Sequence, residues 1–249
     1  MNSIKVKKSE LQWGKNGSII AIGPPSSGKT FMINELILNR NYVFKIPPKC
    51  LVLLYSKWND VFGQWKRIFE QHFYSKQGYD SEFIEQIFAR RGEHSTPLLV
   101  IIDDLIEALV QKENKSSVLR LINVYCTHGN AYVIVTSQQC TMEGSAGVML
   151  RNIIRTAAGI VIFDNVLSLV PLRSLSISLF TSHNKPSTVL TKILEKNSNF
   201  GYRFIFIDIN ASNYERDKNF IIKQKLLRVR NSFYTKDIHE QKKPYLFYT

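Results

Sequence analysis

The sequence predicts an α/β fold with a mainly parallel central sheet flanked by helices. Short runs that are apolar at every position recur along the chain, and helix-length amphipathic segments separate them. A strand that is apolar throughout is buried on both faces, which is the condition of a parallel sheet covered by helices on both sides. With 249 residues, 44% of them hydrophobic, the chain has enough material for one large core.

Taken in order, SIIAIG (Ser18 to Gly23) reads as the first buried strand, and TFMINELILNRN (Thr30 to Asn41) as the helix after it. Pro47 and Pro48 break the chain before a second strand, CLVLLYS (Cys50 to Ser56). Trp58 to Arg91 reads as mostly helical, with a break at Gly78. Pro97 starts the third strand, LLVIID (Leu98 to Asp103). Ser116 to His128 reads as a helix closed by Gly129, a residue suited to the left-handed position past a helix end. AYVIVTS (Ala131 to Ser137) is the fourth strand, Val148 to Arg155 a helix, and GIVIFD (Gly159 to Asp164) the fifth strand. YRFIFIDI (Tyr202 to Ile209) is the sixth. No repeat or Pro/Gly-rich linker divides the chain, so residues 1–249 are expected to form a single domain. Its core spans 18–210, and a basic C-terminal segment covers 211–249.

The first strand and helix are joined by GPPSSGKT, Gly23 to Thr30, which has the G-x-x-x-x-G-K-T spacing of a phosphate-binding loop. Each residue type has a physical reason to be there. Gly23 permits the sharp exit from the strand, and Gly28 lets the backbone approach a phosphate closely. Pro24 and Pro25 stiffen the loop but carry no amide hydrogen, so the donors run from Ser26 and Ser27 through Gly28 and Lys29 to Thr30. They face an anion at the positive end of the following helix. Lys29 reaches β- and γ-phosphates, and the Thr30 hydroxyl is a ligand for Mg²⁺. The loop thus predicts a P-loop NTPase that binds ATP with Mg²⁺.

A matching acid follows. The strand LLVIIDD ends in Asp103, placed to hold Mg²⁺, and Asp104 is next in line to polarise an attacking water. In a parallel sheet the tip of the fourth strand lies on the same edge. There stand Thr136, Ser137, Gln138 and Gln139, and a glutamine amide at that place can donate to a γ-phosphate or orient the water.

The formal net charge is +13, which suits a polyanion partner, nucleic acid before membrane. Three cysteines, Cys50, Cys126 and Cys140, form no C-x-x-C pair and read as buried reduced thiols. The N-terminal residues carry no apolar run of the signal-peptide kind, and the most apolar stretch, LLVIIDDLIEALV, is too short and charged to cross a bilayer. The expectation is a soluble, cytoplasmic-type protein that is not an integral membrane protein. A guanine-specificity motif N-K-x-D is not met, because Asn184-Lys185 is followed by Pro186-Ser187. A nucleoside or nucleotide kinase stays open, with Arg90 and Arg91 in its lid, as do another DNA motor or helicase and a nucleotide-gated DNA-binding assembly factor.

The succession GPPSSGKT, LLVIIDD, VIVTSQQ, then LRNIIR before the strand GIVIF, resembles the viral genome-packaging ATPases of the FtsK/HerA superfamily. The relevant branch is that of poxviruses, other large DNA viruses and virophages. The resemblance covers Ser18 to Asp164 and continues weakly into YRFIFIDI and KLLRVRN. It implies a RecA/ASCE-like ATPase that assembles as a ring, a hexamer, and threads double-stranded DNA into a preformed capsid. Portal, capsid or membrane-vertex proteins would be its partners, and the virion or the virus assembly site its location. It also implies roles: Lys29 and Thr30 on phosphate and Mg²⁺, Asp103 on Mg²⁺, and Gln138 as sensor. The family often has Glu where this chain has Asp104.

Arg151 and Arg155 are the candidates for a finger that stabilises phosphoryl charge in a neighbouring subunit. The family places an Asn soon after that arginine. Asn152 fits if it is Arg151, and Ala157 stands near the place if it is Arg155. DNA is expected at the small-residue loop Gln139 to Val148, or at Arg216, Lys218, Lys223, Lys225, Arg228 and Arg230. The segment Lys57 to Tyr74 interleaves aromatics with bases, which suits a packed amphipathic helix or a stacking surface.

Overall fold

The computed structural model describes residues 17–91, 96–126, 128, 130–163, 169–179, 185–188, 190–192, 204–208, 229–232 and 247–248. The strands are β1 (Gly17–Ile22), β2 (Cys50–Tyr55), β3 (Phe73–Gln77), β4 (Leu98–Asp103) and β5 (Ala131–Ser137), then β6 (Gly159–Phe163), β7 (Phe204–Asp208), β8 (Val229–Ser232) and β9 (Phe247–Tyr248). Among the described residues they form one sheet in the order β3-β2-β4-β5-β1-β6-β7-β8-β9. From β3 to β6 all pairings are parallel. From β6 outward they are antiparallel, so the strand expected over 202–209 joins as a reversed neighbour. Two short pieces of the basic C-terminal segment, β8 and β9, extend this edge.

The helices are α1 (Lys29–Leu38), α2 (Arg40–Val43), α3 (Asp60–Phe69), α4 (Ser81–Arg91), α5 (Ile106–Leu109), α6 (Lys115–Leu119), α7 (Gly144–Thr156) and α8 (Leu169–Leu179). Successive side chains of a strand point to opposite faces, and the core divides accordingly. Ile20, Ile22, Val100, Ile102, Val133 and Val135 pack on one face with Leu150 and Ile153 of α7. Ile19, Ala21, Leu99, Ile101 and Ile134 pack on the other with Ile33 and Ile37 of α1 and Phe62 and Trp65 of α3. This is why the central strands read apolar at every position. Asn59 caps α3 by accepting from the Val61 amide at 3.1 Å. The Trp65 indole donates to Asn34 Oδ1 at 3.0 Å and ties α3 to α1.

Two expectations are corrected and one, the helix from Ser116, holds with a change of helix type. The segment from Trp58 to Arg91 is not one broken helix: the chain turns at Glu70, with φ 48°, and inserts β3 before Gly78, with φ 82°. β3 is an edge strand whose Ser75, Lys76 and Gln77 are exposed, so it lacks an apolar run. The helix expected from Ser116 is α6 followed by a π-helix over Arg120–Tyr125, in which Tyr125 stacks on Phe88 at 4.1 Å between centroids. The loop expected over Gln139 to Val148 is a loop only to Glu143, since α7 starts at Gly144 and Cys140 is buried.

The aromatics of Lys57 to Tyr74 are largely core: Phe62, Trp65 and Phe69 are buried, while Trp58 is 44% exposed. Cys50, Cys126 and Cys140 are free and buried, and burial pushes the Cys126 thiol up to about 12 and that of Cys140 to about 11. No helix among the described residues is long and apolar enough to cross a membrane.

Candidate functional site

The C-terminal ends of β4, β5 and β1 lie side by side, in that order, and place three sequence segments on one edge. Register fixes this: Ala21 and Ile22 of β1 face Thr136 and Ser137 of β5, and Ile102 of β4 faces Val135. The Gly23 amide then donates to the Ser137 carbonyl at 3.0 Å, which anchors the start of the loop to β5.

The loop itself is a tight turn. The Ser27 amide donates back to the Pro24 carbonyl at 3.3 Å, and Ser26 and Gly28 take left-handed backbone angles of 61° and 103°. Left-handed residues on either side of Ser27, which keeps a negative φ, give the alternation that turns successive amides inward to form an anion-binding concavity. The two glycines serve different ends. Gly28 is needed for its angle, since a Cβ there meets only the Phe163 ring at 3.5 Å. Gly23 is needed for space, since a Cβ would fall 2.6 Å from Ser27 Oγ and 3.0 Å from Phe163 Cβ. Among the described residues the Ser27 hydroxyl is buried without a hydrogen-bond partner.

Lys29 opens α1 and is only 9% exposed. Its ammonium donates to the Gly23 carbonyl at 2.6 Å and the Pro24 carbonyl at 2.7 Å, so it lies folded across the loop. Burial lowers its pKa, and the charges of Asp104 and Asp103 oppose that shift. Burial raises the pKa of Asp103. The Thr136 hydrogen bond lowers it, Asp104 adds to the rise, and Lys29 works against it. Lys29 and Asp103 therefore sense each other and the charge of Asp104 across the edge.

The two acids differ in setting. Asp103 ends β4, and its Oδ1 accepts from Thr136 Oγ1 at 2.9 Å. Asp104 takes φ 55°, its amide donates to the same Thr136 Oγ1 at 2.8 Å, and its Oδ2 accepts from Gln138 Nε2 at 2.6 Å. Gln138 is thus brought onto the second acid. The Ser137 hydroxyl serves the turn itself, bonding the carbonyl and the amide of Gln139 at 2.5 and 3.0 Å.

Of the residues predicted from the sequence, Gly23, Ser26, Ser27, Gly28, Lys29 and Thr30 form the loop and first helical turn, with Asp103, Asp104 and Gln138 beside them. Arg151 and Arg155 lie on the exposed face of α7, and among the described residues no hydrogen bond or salt bridge joins either to the loop or the acids. Arg91 donates to the Thr96 carbonyl, ahead of β4, on the edge opposite Asp103. Arg90 and Arg91 therefore do not form a lid over the loop. Arg216, Lys218, Lys223, Lys225 and Arg228 lie outside the described residues, and Arg230 falls in β8. Thr136 was given no role from the sequence; a hydroxyl inside the apolar run YVIVTS was the available signal.

No family model and no curated protein matches this chain. Solved structures do. The genome packaging NTPase B204 from Sulfolobus turreted icosahedral virus 2, in complex with sulfate, superposes with a TM-score of 0.53 at 14% identity, over 79% of this chain and 93% of that one. The same NTPase in complex with AMP gives 0.51 at 15% identity, over 79% and 94%. B204, the DNA-packaging ATPase from Sulfolobus Turreted Icosahedral Virus, gives 0.53 at 15% identity, over 78% and 93%. The chain has the P-loop NTPase fold. At these identities the likeness concerns the fold, and it spans nearly the whole of the B204 chain.

Proposed function

We propose that this chain is an ATP-hydrolysing motor that moves double-stranded DNA into a viral capsid, working as a ring of identical subunits. The observation that carries the reading is the meeting, on one sheet edge, of the glycine loop, Lys29, two acids and Gln138, within a fold shared with genome packaging NTPases. The FtsK/HerA resemblance and the net charge of +13 support the choice of DNA as partner.

The donor set fits Mg²⁺. Asp103 and Thr30 offer a carboxylate and a hydroxyl, which are hard oxygen ligands. A site of one or two protein oxygens completed by phosphates and water is the usual one for that ion. When bound, Mg²⁺ neutralises charge on the β- and γ-phosphates. The chain's own residues do the rest. The loop amides from Ser26 to Thr30 hold phosphate oxygens, and Lys29 exchanges the Gly23 and Pro24 carbonyls for them. The unpartnered Ser27 hydroxyl has a hydrogen bond to give there. Asp104 accepts a proton from the attacking water, and Gln138 orients that water or reports the γ-phosphate.

Arg151 or Arg155, exposed on α7, reaches the phosphates of an adjacent subunit. The subunits grip DNA by its phosphate backbone, without reading sequence, at what remains loop of Gln139 to Val148 (139–143) or at the basic C-terminal segment.

Steady-state hydrolysis of ATP by the wild type and by Lys29→Ala tests the chemistry. Wild-type turnover is expected, with a loss of about 100-fold or more in the variant. A wild type that binds ATP and releases no phosphate would remove the motor.

A further inference from the structure

We propose that Thr136 is the positioning residue of the site, a single buried hydroxyl that sets both acids; this rests on the proposed ATPase function. Its side chain is fully buried at the middle of the edge, on β5 between β4 and β1. The hydroxyl is used in both directions. It donates to Asp103 Oδ1 at 2.9 Å and accepts from the Asp104 amide at 2.8 Å.

These two bonds do different things. The donated proton needs a carboxylate lone pair, so it orients Asp103 and leaves the second oxygen of that group for Mg²⁺ and its water. The accepted amide bond holds the chain in the left-handed turn at Asp104, with φ 55°, an angle that L-residues adopt at a cost. Asp104 Oδ2 then meets Gln138 Nε2 at 2.6 Å. One hydroxyl thus ties the metal-side acid to the water-side acid and, through the second, to the sensor.

A merely structural threonine is a weaker explanation. The positions before it on β5, Tyr132, Val133, Ile134 and Val135, are packed apolar side chains, and valine has the shape of threonine. Burying a hydroxyl among them is unfavourable unless it is bonded, and both of its bonds go to the acidic pair.

The test compares Thr136→Val and Thr136→Ser with the wild type. Turnover of ATP over a Mg²⁺ titration, ADP binding in the presence of a chelator, and hydrogen exchange at the Asp104 amide are measured. In Thr136→Val, kcat is expected to fall about 10–100-fold and the Mg²⁺ requirement to rise. Metal-free ADP binding stays as in the wild type, because the loop is untouched. Thr136→Ser restores most of the turnover and the wild-type Mg²⁺ dependence.

In the wild type the Asp104 amide is expected to exchange slowly although it lies beyond the strand. This reading needs no variant and holds even if the valine protein does not fold. A folded Thr136→Val protein with wild-type kcat and Mg²⁺ dependence would overturn the inference. So would an Asp104 amide that exchanges as fast as open loop. A wild type without any hydrolysis removes the ATPase reading instead, and exchange at Asp104 still decides whether the hydroxyl holds the turn.

Discussion

Asp103 is kept in a place that does not suit a carboxylate. Burial raises its pKa above the ordinary aspartate value, and the neighbouring Asp104 adds to the rise. The folded protein therefore binds a proton more readily at this position than the unfolded chain does. Stability contributed here falls as pH rises from the ordinary aspartate range through the raised value, and the cost is complete above that value. Asp103→Asn removes that cost while its amide oxygen can still accept from Thr136.

The expected result is a ligand-free protein with a higher thermal midpoint than the wild type at neutral pH, a difference that closes on acidification. ATP turnover is reduced about 100-fold or more. Thermal melts across pH and a phosphate-release assay check the two halves. The sequence made Asp103 and Asp104 legible because an apolar strand ends on them. It showed Thr136 only as one of the polar residues at the tip of the fourth strand, because one hydroxyl after a β-branched run gives no sign of what it bonds.

At the scale of the element, α7 is the piece that presents both exposed arginines, and its first turn is tightly fitted. A Cβ built on Gly147 would fall 1.9 Å from the Met142 carbonyl oxygen, a backbone atom that no rotamer change can clear. Gly147→Ala is expected to destabilise the fold by about 1–3 kcal/mol, read from the midpoint and slope of a denaturant titration. Leaving stability unchanged would mean that the turn 138–143 yields freely.

The strands from β1 to β6, apart from β3, were legible because a parallel sheet buried on both faces gives each a run of apolar residues, with the few polar positions, Ser18, Asp103, Thr136 and Ser137, at or next to the strand ends. β3 was not, because FYSKQ is an edge strand with three of its five residues exposed. The extension of α7 back to Gly144 was hidden in a small-residue stretch, GSAG, that reads as loop by composition.

For the whole molecule, the order of strands puts the loop, the acids and Gln138 on one edge, while Arg151 and Arg155 remain on the solvent side of α7. In the proposed ring, these arginines would supply a cation for the phosphates of the next subunit. If either arginine acts that way, Arg151→Ala or Arg155→Ala subunits mixed into wild-type protein will depress turnover more than in proportion to their share. Strict proportionality in both titrations would make the two arginines ordinary solvated side chains.

The net charge of +13 belongs to this scale too, since it bears on partners and not on the fold. The most direct measurement is ATP turnover by the wild-type protein with and without long double-stranded DNA, repeated over a range of salt. A backbone-tracking motor gives turnover that rises with DNA whatever its sequence and loses that stimulation as salt increases. Turnover indifferent to DNA at every salt concentration would contradict the account.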